Sequence, residues 1–101
     1  MTARFALTAP AERDLEEIFF EVKGHHGLPV AERAYASLLR AFELLARNPE
    51  IGRHRPELWP PPYRFWPTGP CFIAYRGDVR PIRIVRITRV SRDWTRFLPA
   101  S

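Results

Sequence analysis

The stretch "RPIRIVRITRVSRD", residues 80–93, carries arginine at every third position: Arg80, Arg83, Arg86, Arg89 and Arg92. The residues between them, Ile82, Ile84, Val85, Ile87 and Val90, are β-branched and predict a strand. Side chains of a strand alternate with period two, so a period of three sends the guanidinium groups to both faces. Regular alternation sets Arg83, Val85, Ile87 and Arg89 on one face, and Ile82, Ile84, Arg86, Thr88 and Val90 on the other. What covers each face decides the fold.

Upstream, "ARFALT" (3–8) alternates and predicts a short strand with Phe5 and Leu7 on one side. "TAPAERDLEEIFFEVKGHHG" (8–27) predicts a helix. Thr8 is its N-cap, Pro10 sits in its first turn, and Glu12 and Asp14 complement the positive end of its dipole. Leu15, Ile18, Phe19 and Val22 form an apolar stripe, with Phe20 off it, and Gly24 and Gly27 end the helix. A second helix of about 18 residues opens at Pro29 and stops at Asn48-Pro49. Its stripe is Ala31, Tyr35, Leu38, Phe42 and Leu45, with Leu44 pointing away. The short glycine-containing turn makes the two helices an antiparallel hairpin. After an irregular, proline-rich stretch, "YRFW", "CFIAYR" and "IRIVRIT" predict three strands joined by turns at "PTGP" and "GDVRP". The expected fold is α+β, in the order β-αα-βββ: an antiparallel-dominated sheet with the helical hairpin packed on one face. Val85 and Ile87 suit the covered side, with Arg83 and Arg89 snorkelling to water at its ends. The other face, half apolar with Arg86 at its middle, is expected to stay open for a partner.

The chain has 101 residues, room for one domain with a two-layer core, and 46% of its residues are hydrophobic, which argues against disorder. A single cysteine, Cys71, excludes an internal disulfide framework and fits a reducing cytosol. No apolar run approaches the ~18 residues of a membrane span, and "MTARFALTAP" lacks the apolar core of a signal peptide. Residues 1–50 hold six basic and eight acidic groups, whereas residues 51–101 hold ten basic and three acidic. All the cations but Lys23 are arginines, suited to carboxylates and phosphates, so the C-terminal half should attract an acidic partner or a nucleic acid.

Four pieces, in this order and layout, resemble the ParE toxins of the RelE/ParE superfamily. They are Ala11-x-x-Asp14-Leu15 in the first helix, Asn48-Pro49-x-x-Gly52 after the second, Tyr75-Arg76 ending the third strand, and the Ile84, Arg86, Arg92, Asp93 pattern near the C-terminus. The resemblance spans nearly the whole chain and implies a single toxin domain, residues 1–101, of a type II toxin–antitoxin pair. It further implies a poison of DNA gyrase, a role in plasmid maintenance, a cytoplasmic location, and a hetero-oligomer with a ParD-like antitoxin that is acidic and partly disordered. On that reading Arg89, Arg92, Trp94 and Phe97 meet the target, while Phe20, Leu44, Arg76 and Arg86 meet the antitoxin. No catalytic residue, cofactor or metal is expected. The alternatives are a toxin that binds its antitoxin and poisons nothing, and the superfamily's RelE-like branch, which cleaves mRNA on the ribosome. That cleavage needs a base, an acid and cations for the phosphorane-like charge. Arg92 matches one such arginine. Leu98 stands near the tyrosine position, only Arg64 remains of a basic pair, and Cys71 or Phe72 falls at another arginine.

Other clusters have simpler readings. Arg53, His54 and Arg55 form a solvated loop or a phosphate contact. His25-His26 is the polar end of a helix and, with only His54 and Cys71 besides, makes a poor metal-ligand set. Trp59 and Trp66 either contact a partner or close the sheet against the second helix. Arg86 either meets the antitoxin or pairs within the chain with an acidic residue such as Asp78 or Glu12. A plain nucleic-acid-binding module suits the charge, but the sequence carries no groove-reading or base-stacking motif.

Overall fold

A computed structural model of the chain describes residues 4–89 and 93–97. The elements run β1 (Phe5–Leu7), α1 (Ala9–His26), α2 (Leu28–Arg47), β2 (Tyr63–Thr68), β3 (Cys71–Arg76), β4 (Ile82–Arg89) and a 3-10 helix (Trp94–Phe97). The four strands form one sheet in the order β1-β4-β3-β2. β1 is parallel to β4 and the other pairs are antiparallel. This is the expected α+β arrangement.

Thr8 makes the junction between strand and helix. Its Oγ1 accepts the Ala11 N–H at 3.2 Å as the helix cap and donates to the Val85 carbonyl at 2.8 Å. Its own N–H reaches the Ile84 carbonyl at 3.0 Å, prolonging the β1–β4 ladder by one step. α1 runs through Gly24 and stops at Gly27, whose φ of +87° favours a residue without Cβ.

The alternation expected for β4 does not hold. Tyr75 pairs with Ile84 but Ala74 pairs with Arg86, so Val85 is an extra residue in β4. Such a bulge moves every later side chain to the opposite face. Ile82, Ile84 and Ile87 all pack under the helices with Ala11, Leu15, Leu38, Phe42 and Leu45. Val85, expected there with Ile87, lies on the other face.

That other face is not left open. Trp59, Phe65, Phe72, Ala74, Val85 and Trp94 form a second buried cluster, flanked by Leu58 and Tyr63. The proline-rich loop and the 3-10 helix bring the two indoles over the sheet. Trp59 thus closes the face remote from α2, whereas Trp66 packs on the helix side.

The loop after α2 is tied down by Tyr75. Its buried hydroxyl donates to the Pro49 carbonyl at 2.9 Å and accepts the Gly52 N–H at 2.8 Å. A Cβ on Gly52 would lie 2.5 Å from that hydroxyl oxygen, so no larger residue fits. Burial pushes the Tyr75 phenol up from its ordinary pKa. Tyr75→Phe should cost about 1–3 kcal/mol, because it leaves the buried Gly52 N–H without an acceptor. Urea unfolding measures this, and an unchanged midpoint would show that water replaces the hydroxyl.

Candidate functional site

β1 covers β4 only as far as Ile84, so the rest of the β4 edge faces α1. Asp14, on α1 beside Leu15, fills the gap. Its Oδ2 accepts the Ile87 backbone N–H at 2.9 Å and the Arg86 Nε–H at 2.7 Å, and its Oδ1 accepts an Arg86 Nη2–H at 2.8 Å. Asp14 is 7% exposed, the one buried charged residue among those described. A side chain thereby takes the place that a longer β1 would have occupied.

Beyond this pair, α1 and β4 leave a groove of about 410 Å³. Arg89 pairs with Glu21 across it, His25 and His26 stand on its wall, and Cys71 lines its floor. Burial raises the Cys71 pKa; Arg89 opposes that shift and Glu21 adds to it. Among the described residues no three His, Cys, Asp or Glu side chains are placed to hold a metal ion.

A separate surface lies on the hairpin. The fully buried residues of α1 are Ala11, Asp14 and Leu15, and beyond Ile18, which still packs against the core, its later turns are more exposed. There Phe20 is 62% exposed and meets Phe19 edge-on, and Phe19 in turn meets Tyr35, itself 40% exposed. These rings make an exposed aromatic patch near the hairpin tip.

The side chains expected to meet the antitoxin do not form one surface. Phe20 belongs to the aromatic patch. Leu44 is exposed, but nine residues beyond Tyr35 along α2, about 13 Å at the helical rise. Arg76, at the far end of β3, makes a two-pronged bond to Asp78 at 2.6 and 3.1 Å, which holds the Asp78 carboxyl below its ordinary pKa. Arg86 sits not at the middle of an open face but against Asp14; the partner is neither Asp78 nor Glu12. Of the expected target contacts, Arg89 is on the groove and accessible. Trp94 is 1% exposed inside the second cluster, so its indole is not a contact surface. Arg92 and the Phe97 side chain lie outside the described residues. In the loop, Arg55 pairs with Glu57 and lies over the Phe72 ring, while His54 donates from Nδ1 to the Tyr63 carbonyl at 3.1 Å.

The signal for Asp14 was present in the sequence. It lies between Ala11 and Leu15 on the buried side of α1, where a carboxylate needs a cation and a donor. The pairing of Trp59 with Trp94 has no comparable local signal.

The chain has clear relatives. The model of the ParE toxin of the type II toxin–antitoxin system parDE matches residues 5–94, and the chain belongs to that family. A solved structure of the chromosomal ParDE TA system from P. aeruginosa is similar, with a TM-score of 0.73 and 26% identity over 86% of this chain and 95% of that one. A search of curated protein sequences returned no match. No helix among the described residues is long and apolar enough to cross a membrane.

Asp14→Ala should cost about 3–5 kcal/mol, since it removes the buried carboxylate of this ion pair and leaves the Ile87 N–H without its acceptor. Asp14→Asn should recover part of that loss by still accepting from Ile87. Denaturant unfolding of both variants decides the matter, and equal stability of wild type and Asp14→Ala would remove Asp14 from this role.

Proposed function

We propose that this ParE-family chain acts in the cytoplasm by binding DNA gyrase, and that an acidic, partly disordered antitoxin holds it inactive. The observation that carries the reading is the family match across residues 5–94, supported by the likeness to a ParDE structure. The aromatic patch of Phe19, Phe20 and Tyr35 supports an antitoxin helix as its occupant, because a small soluble domain gains by covering such rings. The arginine-rich C-terminal half supports an acidic partner. Arg76 and Arg86 serve the antitoxin only by sharing carboxylates they already hold.

Binding rather than chemistry suits the groove. RNA cleavage needs cations aimed at a developing phosphorane charge, yet Arg86 and Arg89 are each neutralised by a carboxylate, Asp14 and Glu21. Holding a cleaved gyrase–DNA state requires differential affinity alone. Arg89, Arg92 and the segment after it supply the target contact.

One preparation tested in two assays checks the target. The purified chain should block supercoiling of relaxed plasmid and leave mRNA on translating ribosomes uncut. Arg89→Ala should weaken the block at least tenfold with little loss of stability, its ion pair being exposed. Codon-positioned mRNA cuts with normal supercoiling would replace this reading with a ribosome-dependent nuclease. For the antitoxin, Phe20→Asp should lower affinity for the product of the neighbouring gene at least tenfold, and an unchanged affinity would move the contact off the aromatic patch.

A further inference from the structure

The 3-10 helix Trp94–Phe97 follows the last strand, and Trp94 is its buried anchor. The Trp94 ring stands edge-on to Trp59 and Phe65, with centroids at 5.5 and 5.2 Å. Ring packing of this kind fixes a depth more than a direction. Direction comes from a single bond: Trp59 Nε1–H donates to the Trp94 backbone carbonyl at 2.7 Å, buried, between residues 35 apart in sequence. The Asp93 carboxylate then accepts from both the Thr95 N–H and its hydroxyl, winding the turn that follows. Trp94 itself returns no such bond, since its own Nε1–H is buried with no acceptor among the described residues. Two indoles of equal size therefore differ in role. One contributes a bond that aims the backbone, and the other contributes packing and an unsatisfied donor.

We propose that Trp59 is the positioning residue for the C-terminal segment: its indole N–H sets the place and direction of the chain at residues 94–97, and thereby the potency of the toxin at its target. The inference rests on the reading that this segment meets the target. Trp59 is fully buried, so any effect it has on the segment passes through its neighbours, and among the described residues its one hydrogen bond to the segment is the bond to the Trp94 carbonyl. Its ring also packs on Tyr63 and Phe65, contacts that a phenyl largely keeps.

Trp59→Phe and Trp94→Phe make the same change in volume and separate the bond from the packing. Both are compared with wild type in the full chain, freed from its antitoxin, by hydrogen exchange, supercoiling inhibition and antitoxin affinity. In Trp59→Phe, amides 94–97 should exchange at least tenfold faster and inhibition should weaken at least tenfold. The helical hairpin should stay protected, and antitoxin affinity should stay within twofold. Trp94→Phe, which also removes the unsatisfied donor, should disturb the segment less. A segment still protected in Trp59→Phe overturns the proposal, as does an equal effect of both variants, or lost protection with undiminished potency. If wild type spares gyrase but arrests growth when expressed without antitoxin, the gyrase reading fails alone, and growth arrest then serves as the measure of potency. A wild type that does neither overturns both.

Discussion

The carboxylate of Asp14 closes the fold. A four-stranded sheet whose edge strand is three residues long leaves most of β4 exposed on that side, and unpaired edge groups invite pairing with other chains. A longer β1 would solve this but would displace the helix that must start there. Thr8 and Asp14 instead let the first turns of α1 act as the missing strand: Thr8 meets the carbonyls of Ile84 and Val85, and Asp14 meets the N–H of Ile87. Burying a charge for this purpose is tolerable only with a counter-charge, which Arg86 provides through two bonds. The bulge at Val85 belongs to the same arrangement, because it returns Ile87 to the helix side after Arg86 has turned toward the edge.

The residues that carry the family resemblance join in pairs across the fold. Ala11, Asp14 and Leu15 meet Ile84 and Arg86 at the sheet edge. Asn48, Pro49 and Gly52 meet Tyr75 at the end of the hairpin, where Asn48 caps α2 and Gly52 leaves room for the phenol. Both junctions include buried or part-buried polar contacts between distant segments. Each has geometric requirements that an apolar contact lacks, so substitutions there are expensive in stability.

The two sheet faces divide the labour. The helix side holds the aliphatic core, and the far side holds an aromatic one in which Trp59 and Trp94 cover Phe65, Phe72 and Val85. With both faces covered, the described residues still present an aromatic patch on the hairpin and the α1–β4 groove. The hairpin patch and the 3-10 helix lie on different elements, so the two surfaces assigned to antitoxin and target in the proposed function are separable.

Element order, the hairpin, the Thr8 cap and the aliphatic stripes were legible in the sequence because each depends on neighbours within a turn or two, where periodicity and capping chemistry act. The exposure of Phe20 and Leu44 was legible for the same reason: both lie off the helical stripes. The faces of β4 were not, since a bulge is set by the register with β3 and leaves a run of β-branched residues unchanged in appearance. Nor was the fate of the second face. An arginine amid isoleucines suggests an open surface until Asp14, 72 residues away, takes the guanidinium. A tryptophan near the C-terminus suggests a contact until Trp59, from a proline-rich loop, binds its carbonyl. Composition and spacing specify what a side chain can do, whereas its partner is decided by loop closure and packing, which only the folded chain brings about.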